Sequence, residues 1–285
     1  MKTITVDQKG SGDFKKIQDA LDNIESCADN VSQVVIFPGV YVECLNIINS
    51  NIELIGKKEN INETIIENPI GEPQTVNIKS RNVKLKNLCI RQTHFSENSL
   101  KKSYALNLTG DFFAIEYCNI VSNQGGIFAF LSNNLNVRSC NINSRDECGI
   151  YLDEYGKIAI EYSNIQCING SGISIFGQGS FKSQPQMIEI YKAFQEVKNT
   201  LDIVSIDKDC FPKINYNKIN NCADGIFIDG GSCLIENNEI FNNTHGIFVL
   251  SGSPMIKNNK IFNNHTPIND MENNAVLENN IFNQT

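Results

Sequence analysis

The feature that most restricts this 285-residue chain is a step of 21 residues. Ile214, Ile235, Ile256 and Leu277 are each 21 apart, as are Ile219, Ile240, Ile261 and Phe282, and as are Ile226, Ile247 and Ile268; Gly225 and Gly246 keep the same step. Upstream the interval stretches to 22 or 23, in Ile115, Val137 and Ile160, and in Gly126, Gly149 and Gly172 with Ile127, Ile150 and Ile173 behind them. A period in this range means stacked units that bury their apolar faces only against one another. Within a unit, short alternating runs such as Gly246-Ile247-Phe248-Val249 are separated by Asn and Gly, which are strand and turn signals without helical periodicity. The L-x-x-L-x-L frame of leucine-rich repeats does not fit. The pattern predicts an all-β chain, a single right-handed parallel β-helix over 1–285 whose coils lie about 4.8 Å apart.

Stacking at that pitch brings equivalent residues into columns. Asn217, Asn238, Asn259 and Asn280 share a register in which side-chain amides can hydrogen-bond from coil to coil. Lys218, Glu239 and Lys260 alternate in one column and Glu236, Lys257 and Glu278 in another, as they must where like charges would repel. Such exposed pairs add little stability. Cys118, Cys140 and Ser163 read as a column of small residues.

Two segments break the repeat. Phe14, Ile17, Leu21 and Ile24 fall on one face of a helix over 10–27 that Asp13 would N-cap, a lid for the first coil. The second break is 177–212, where Met187, Ile190, Tyr191, Phe194 and Val197 give a helical stripe near 185–199 behind Pro185. It is expected to be an excursion packed on the side of the solenoid. No comparable lid follows Asn280, so the last rung, with Leu277 and Phe282 in its interior, is expected to meet a protein partner or a second copy.

Composition narrows the function classes. The chain has 24 Lys+Arg against 32 Asp+Glu, a net charge of −8 and no basic run, which excludes nucleic acid as an expected partner. No stretch approaches the roughly 18 apolar residues of a membrane span, and residues 1–6 alternate like a strand, so no membrane partner and a cytoplasmic location are expected. The ten cysteines include no C-x-x-C pair and read as buried thiols. The three histidines, His94, His245 and His265, lack zinc-ligand spacing with a cysteine, so no metal and no cofactor are expected.

The stretch Ile4-Thr5-Val6-Asp7-Gln8-Lys9-Gly10-Ser11-Gly12-Asp13-Phe14-Lys15-Lys16-Ile17-Gln18-Asp19-Ala20-Leu21, followed by Pro38-Gly39-Val40-Tyr41-Val42-Glu43, closely resembles pectin methylesterases, themselves right-handed parallel β-helices. The likeness continues more weakly through Tyr104-Ala105-Leu106 to about Phe176. The resemblance implies carbohydrate-ester chemistry run by a nucleophilic and an acid/base aspartate, with a glutamine-rich oxyanion site and an arginine. Carried over residue by residue, one glutamine falls on Lys102. The acid/base aspartate falls on Gly125 in Gln124-Gly125-Gly126-Ile127, and the nucleophile on Cys148 in Cys148-Gly149-Ile150-Tyr151-Leu152. The arginine segment has no counterpart, and Gln124 alone matches. Glycine and cysteine cannot carry the proton and acyl transfers of a carboxylate pair. The resemblance therefore implies fold and lineage with the esterase activity absent. The C-terminal coils also resemble the Asn-rich β-helix repeats of F-box-only adaptors and periplasmic copper-insertion proteins, a likeness of repeat grammar more than of activity.

If the isoleucines after the register glycines point inward, Phe128, Tyr151, Ser174, Phe227 and Phe248 point outward. An outer aromatic stripe could stack sugars, dock a protein, or lie beneath the 177–212 excursion. Two residues on, Asp153 and Asp229 share an outward register with Phe130, Phe176 and Leu250, two coils apart. That is about 9–10 Å, near the upper edge of the separation used by inverting glycosidases. Asp224 stacks beneath His245 and could form a general acid/base pair with it, although Asp and His beside a turn glycine are also ordinary turn formers. The leading expectation is a non-catalytic β-helix serving as a binding or scaffold module for protein–protein interaction, through Phe128, Tyr151, Phe227, Phe248 and Phe282. The alternative is a glycoside hydrolase or lyase acting on an acidic polysaccharide through Asp153, Asp224, Asp229 and His245. The net charge of −8 opposes a polyuronate unless the groove is locally basic.

Overall fold

Alternating apolar residues on strands this short can be buried only if each coil lies on the next, and the structure meets that demand. The structure, a computed structural model, describes residues 2–24, 30–57, 60–93, 103–132, 134–153, 156–177 and 211–283. Its strands form an 18-stranded and a 10-stranded sheet. The late coils each supply three strands: Asp224–Asp229, Leu234–Glu236 and Glu239–Phe241, then His245–Ser251, Met255–Lys257 and Lys260–Phe262, then Thr266–Asp270, Val276–Glu278 and Ile281–Asn283. All three strand sets pair in parallel in the predicted register, with Ile214 beside Ile235, Ile256 and Leu277, Ile219 beside Ile240, Ile261 and Phe282, and Ile226 beside Ile247 and Ile268. The isoleucines up to Ile261 are fully buried, each removing a side chain from water at about 1.5–3 kcal/mol. In the last coil Leu277 and Phe282 are 51% and 47% exposed.

The register glycines are needed for close approach. A Cβ on Gly225 would lie 2.4 Å from the carbonyl oxygen of Gly246, and one on Gly246 2.4 Å from that of Pro267.

The asparagine column is a ladder. The backbone N–H groups of Asn217, Asn238 and Asn259 donate to the side-chain oxygens of Asn238, Asn259 and Asn280 at 2.9, 3.0 and 3.0 Å. Each amide nitrogen reaches back to a carbonyl of the preceding coil, Asn238 to Ile214 at 2.8 Å and Asn259 to Ile235 at 2.9 Å. The small-residue column is the same ladder begun with other donors and acceptors. Cys140 N–H donates to the Ser163 hydroxyl at 3.1 Å, and Ser163 N–H to Asn217 Oδ1 at 3.0 Å. A second ladder, from Cys222 N–H to Asn243 and from Asn243 N–H to Asn264, supports the turn after the third strand. The charge columns pair as expected, Lys260 with Glu239 at 3.3 Å and Lys257 with Glu236 at 3.3 Å.

At the turn before the third strand, Asn237, Asn258 and Asn279 adopt left-handed φ of 58°, 57° and 51°. The same register upstream holds Tyr117, Tyr162 and Tyr216 at 52°, 53° and 57°.

The N-terminal helix is shorter than the 10–27 span, running over Ile17–Asp22. Asp13 does not cap it, because its carboxylate accepts Thr5 N–H at 2.8 Å and the Thr5 hydroxyl at 2.7 Å. Residues 7–14 instead loop back onto the first strand, with Val6 bridging Phe14, and Glu43 holds the helix start. Ile17, Ala20 and Leu21 are buried over the first coil. The excursion lies outside the described residues over 178–210, and with it the helix expected at 185–199. Among the described residues no helix is long and apolar enough to cross a membrane.

Candidate functional site

Five neighbouring strands, Gly125–Ser132, Cys148–Asp153, Ser171–Phe176, Asp224–Asp229 and His245–Ser251, carry the outer aromatic stripe. Ile127, Ile150, Ile173, Ile226 and Ile247 are buried inside, and Phe128, Tyr151, Phe227 and Phe248 are half-buried on the outer face. Their rings form a row that begins with Tyr104. Centroid separations are 5.0 Å from Tyr104 to Phe128, 4.9 Å to Tyr151, 5.0 Å to Phe176, 5.7 Å to Phe227 and 5.6 Å to Phe248; Tyr151 stacks on Phe128 and Phe176 at 20° and 28°, Tyr104–Phe128 and Phe176–Phe227 are tilted, and Phe227–Phe248 is edge-on at 81°. Phe176 supplies the ring that Ser174 lacks, although it stands two residues further along its strand. His245 ends the row, 5.3 Å from Phe248. None of the five strands contains a lysine or an arginine.

The carboxylates are not gathered into one constellation. Asp153 and Asp229 flank Phe176 in register, two strand spacings apart, about 9–10 Å. Asp153 is fully buried and accepts the Tyr151 hydroxyl at 3.2 Å, so it presents no open carboxylate to a groove. Burial, and then the nearby Asp153 charge, push the Tyr151 hydroxyl well above the ordinary tyrosine range. Asp229 is partly buried. Leu250 is not opposite it, because a bulge after Ile228 brings Ser251 there instead, and the Ser251 hydroxyl donates to Asp229 at 3.0 Å. Asp224 and His245 do meet, with Oδ1 and Nδ1 2.7 Å apart. Phe282 sits in the 10-stranded sheet of the last coil, apart from the aromatic row.

The positions matched to the esterase aspartates are closed. Gly125 pairs with Tyr104, and a Cβ on Gly125 would lie 2.2 Å from two atoms of the Tyr104 ring. The ring occupies the space a side chain at 125 would need. The Tyr104 hydroxyl is 3.5 Å from Cys148 Sγ, and both groups are buried. Burial pushes the Cys148 thiol up to about 12. Gln124 Oε1 accepts the Ser103 hydroxyl at 3.4 Å across one coil, the 21-residue step that also pairs Gly125 with Tyr104. Lys102 and His94 lie outside the described residues, among which no group of three or more His, Cys, Asp or Glu could hold a metal.

The sequence model of one family, described as Pectinesterase, matches residues 3–145, half of the chain. The chain belongs to the pectinesterase family. A second model, described as Right handed beta helix region, matches residues 202–285 of this pectinesterase-family chain and agrees with the predicted hand. Among solved structures, the pectin methylesterase of Aspergillus niger is 15% identical over 98% of this chain and 85% of its own, with a TM-score of 0.62. That of carrot is 14% identical over 99% and 83%, at 0.60, and Escherichia coli YbhC is 12% identical over 99% and 84%, at 0.59. At such identities the likeness establishes the fold. No curated protein matches the chain.

Proposed function

We propose that this chain binds a neutral or methyl-esterified polysaccharide along the aromatic row and does not hydrolyse its ester. The observation that carries the binding half is the row itself, the half-buried rings from Phe128 to Phe248 spaced 4.9–5.7 Å on consecutive strands. The half-buried rings make an apolar strip against which the C–H groups of a sugar chain can lie. Five strands without a lysine or arginine, in a chain of net charge −8, favour an uncharged sugar over the acidic one of the alternative reading. Support for lost hydrolysis comes from Tyr104, whose ring fills the place of an acid/base carboxylate at 125, and from the sealed Cys148 thiol. The test pairs two assays. Affinity electrophoresis in methyl-esterified pectin should retard the protein, and Phe227→Ala with Phe248→Ala should weaken retention about tenfold or more. Methanol release should not exceed that of heat-killed protein. Unretarded migration, or turnover abolished by Gln124→Ala, would refute the respective half.

A second reading concerns the last coil, where Val276, Leu277, Ile281 and Phe282 are each about half exposed. An apolar rung of this kind suits a protein partner or a second copy. Light scattering of the wild type and of Phe282→Lys tests it, and an unchanged monomer mass in both would remove self-association.

A further inference from the structure

A polar column runs beside the aromatic row. Cys148, Ser171, Asp224, His245 and Thr266 occupy one register at the starts of successive strands. From Ser171 onward these side chains are half-buried, and they stand three residues before Ser174, Phe227, Phe248 and Asn269. Both oxygens of Asp224 are engaged inside the column, Oδ1 at 2.7 Å from His245 Nδ1 and Oδ2 accepting the Ser171 hydroxyl at 3.4 Å. An ionised carboxylate has no proton to give. A hydrogen shared between Asp224 and His245 then lies on Nδ1, which leaves the Nε2 lone pair as the acceptor of the uncharged ring. The imidazole side chain is 28% exposed and borders Phe248, the last ring of the row.

We infer that Asp224 and His245 form the hydroxyl-recognising edge of the saccharide site and make it select an uncharged or esterified pyranose over a free uronate. The inference rests on the saccharide reading above and adds the group that orients the sugar. A sugar stacked on Phe248 presents hydroxyls at its rim, and Nε2 is an acceptor fixed on a rigid strand to receive one. A uronate carboxylate is acceptor-only and would face that nitrogen with the Asp224 charge behind it. Esterification removes the charge and with it the repulsion from Asp224, leaving the ring hydroxyls to donate to Nε2. His245 is the contacting group, and Asp224 is a positioning residue that sets its tautomer.

Calorimetric titration of the full chain tests this with a methyl-esterified oligogalacturonate and the same oligomer de-esterified. Wild type should prefer the esterified oligomer. His245→Phe, which keeps a ring beside Phe248, and the near-isosteric Asp224→Asn should each weaken it about tenfold. Long-range 1H–15N spectra supply a readout that a purely structural pair would not move. His245 should carry its proton on Nδ1, and its Nε2 resonance should shift when the esterified oligomer is added. If Phe248→Ala abolishes binding while His245→Phe and Asp224→Asn bind as wild type, the row reading stands and this inference is overturned. An Nε2–H tautomer in the free protein, or equal affinity for the two oligomers, overturns it as well. Failure of wild type to bind either oligomer removes the saccharide reading together with it.

Discussion

The Glu43 side chain accepts the backbone N–H groups of Ile17 and Gln18, each at 3.0 Å, across 26 and 25 residues of sequence. It supplies from the first coil what a local N-cap would have supplied, and so ties the lid to the solenoid. Tyr41, two residues earlier, is buried and donates to the Phe37 carbonyl at 2.9 Å. The Pro38–Glu43 segment is thus a clamp for the N-terminal helix. Glu43→Ala should lower stability by about 1–3 kcal/mol, with Glu43→Gln intermediate because one acceptor remains. Urea unfolding midpoints measure this, and an alanine variant as stable as wild type would mean that the clamp contributes nothing.

Asn238 is buried in the middle of the ladder, bonded to Ile214, Asn217 and Asn259. Asn238→Leu removes an acceptor from Asn217 N–H and leaves that donor buried, at a cost of about 1–3 kcal/mol. Thermal or urea unfolding would reveal it.

Tyr117 is 46% exposed in a left-handed turn that asparagine fills elsewhere, and its cation contact is distant, with Lys86 Nζ 5.8 Å from the ring. The left-handed conformation costs an ordinary residue about 1–2 kcal/mol and asparagine less, which outweighs an exposed cation–π contact of about 0.5 kcal/mol. Tyr117→Asn should therefore stabilise the protein by about 0.5 kcal/mol. A fall in the unfolding midpoint would show that the ring contributes more than the strain it carries.

Placing a carboxylate at 125 should fail sterically. Gly125→Asp should cost about 1–3 kcal/mol through its clash with Tyr104, and Tyr104→Ala in the same chain should recover part of that loss. A double-mutant cycle in urea gives the coupling, and strict additivity would contradict the packing described for this pair.

Cys148 is buried with its thiol pushed up to about 12, so almost none is thiolate at neutral pH. Native protein treated with iodoacetamide near pH 8 should leave Cys148 unlabelled while Cys44, the one partly exposed thiol among the described residues, reacts faster. Peptide mass spectrometry decides this, and rapid labelling of Cys148 would show that the position is open.

The repeat was legible because its signals are translational. Ile214 predicts Ile235, Asn217 predicts Asn238, and the pairing follows once the pitch is known. What the sequence could not yield depends on side chains acting between coils. Asp13 reads as a helix cap, yet its carboxylate is taken by Thr5, a residue eight positions back that the loop brings alongside. Ser251 meets Asp229 only because a bulge shifts the register by one. Gly125 looks like any turn glycine until Tyr104, one coil earlier, is seen in its place. The stripe from Phe128 to Phe248 was readable by alternation, but Phe176 joins it from another position because a long side chain can lean into the gap above Ser174. Of the candidate carboxylates, only the Asp224–His245 pair was brought into contact, and a simple 21-residue step had predicted it.

The asparagine ladder has a direction. Each backbone N–H is satisfied by the side chain of the following coil, and each amide nitrogen closes onto a carbonyl of the preceding one. The buried turn donors of one coil are therefore satisfied only when the following coil is in place, so each rung is completed by its C-terminal neighbour. A missense change at Asn238 then strands the Asn217 N–H and the Ile214 carbonyl together, so the loss falls on the coil before the substituted residue.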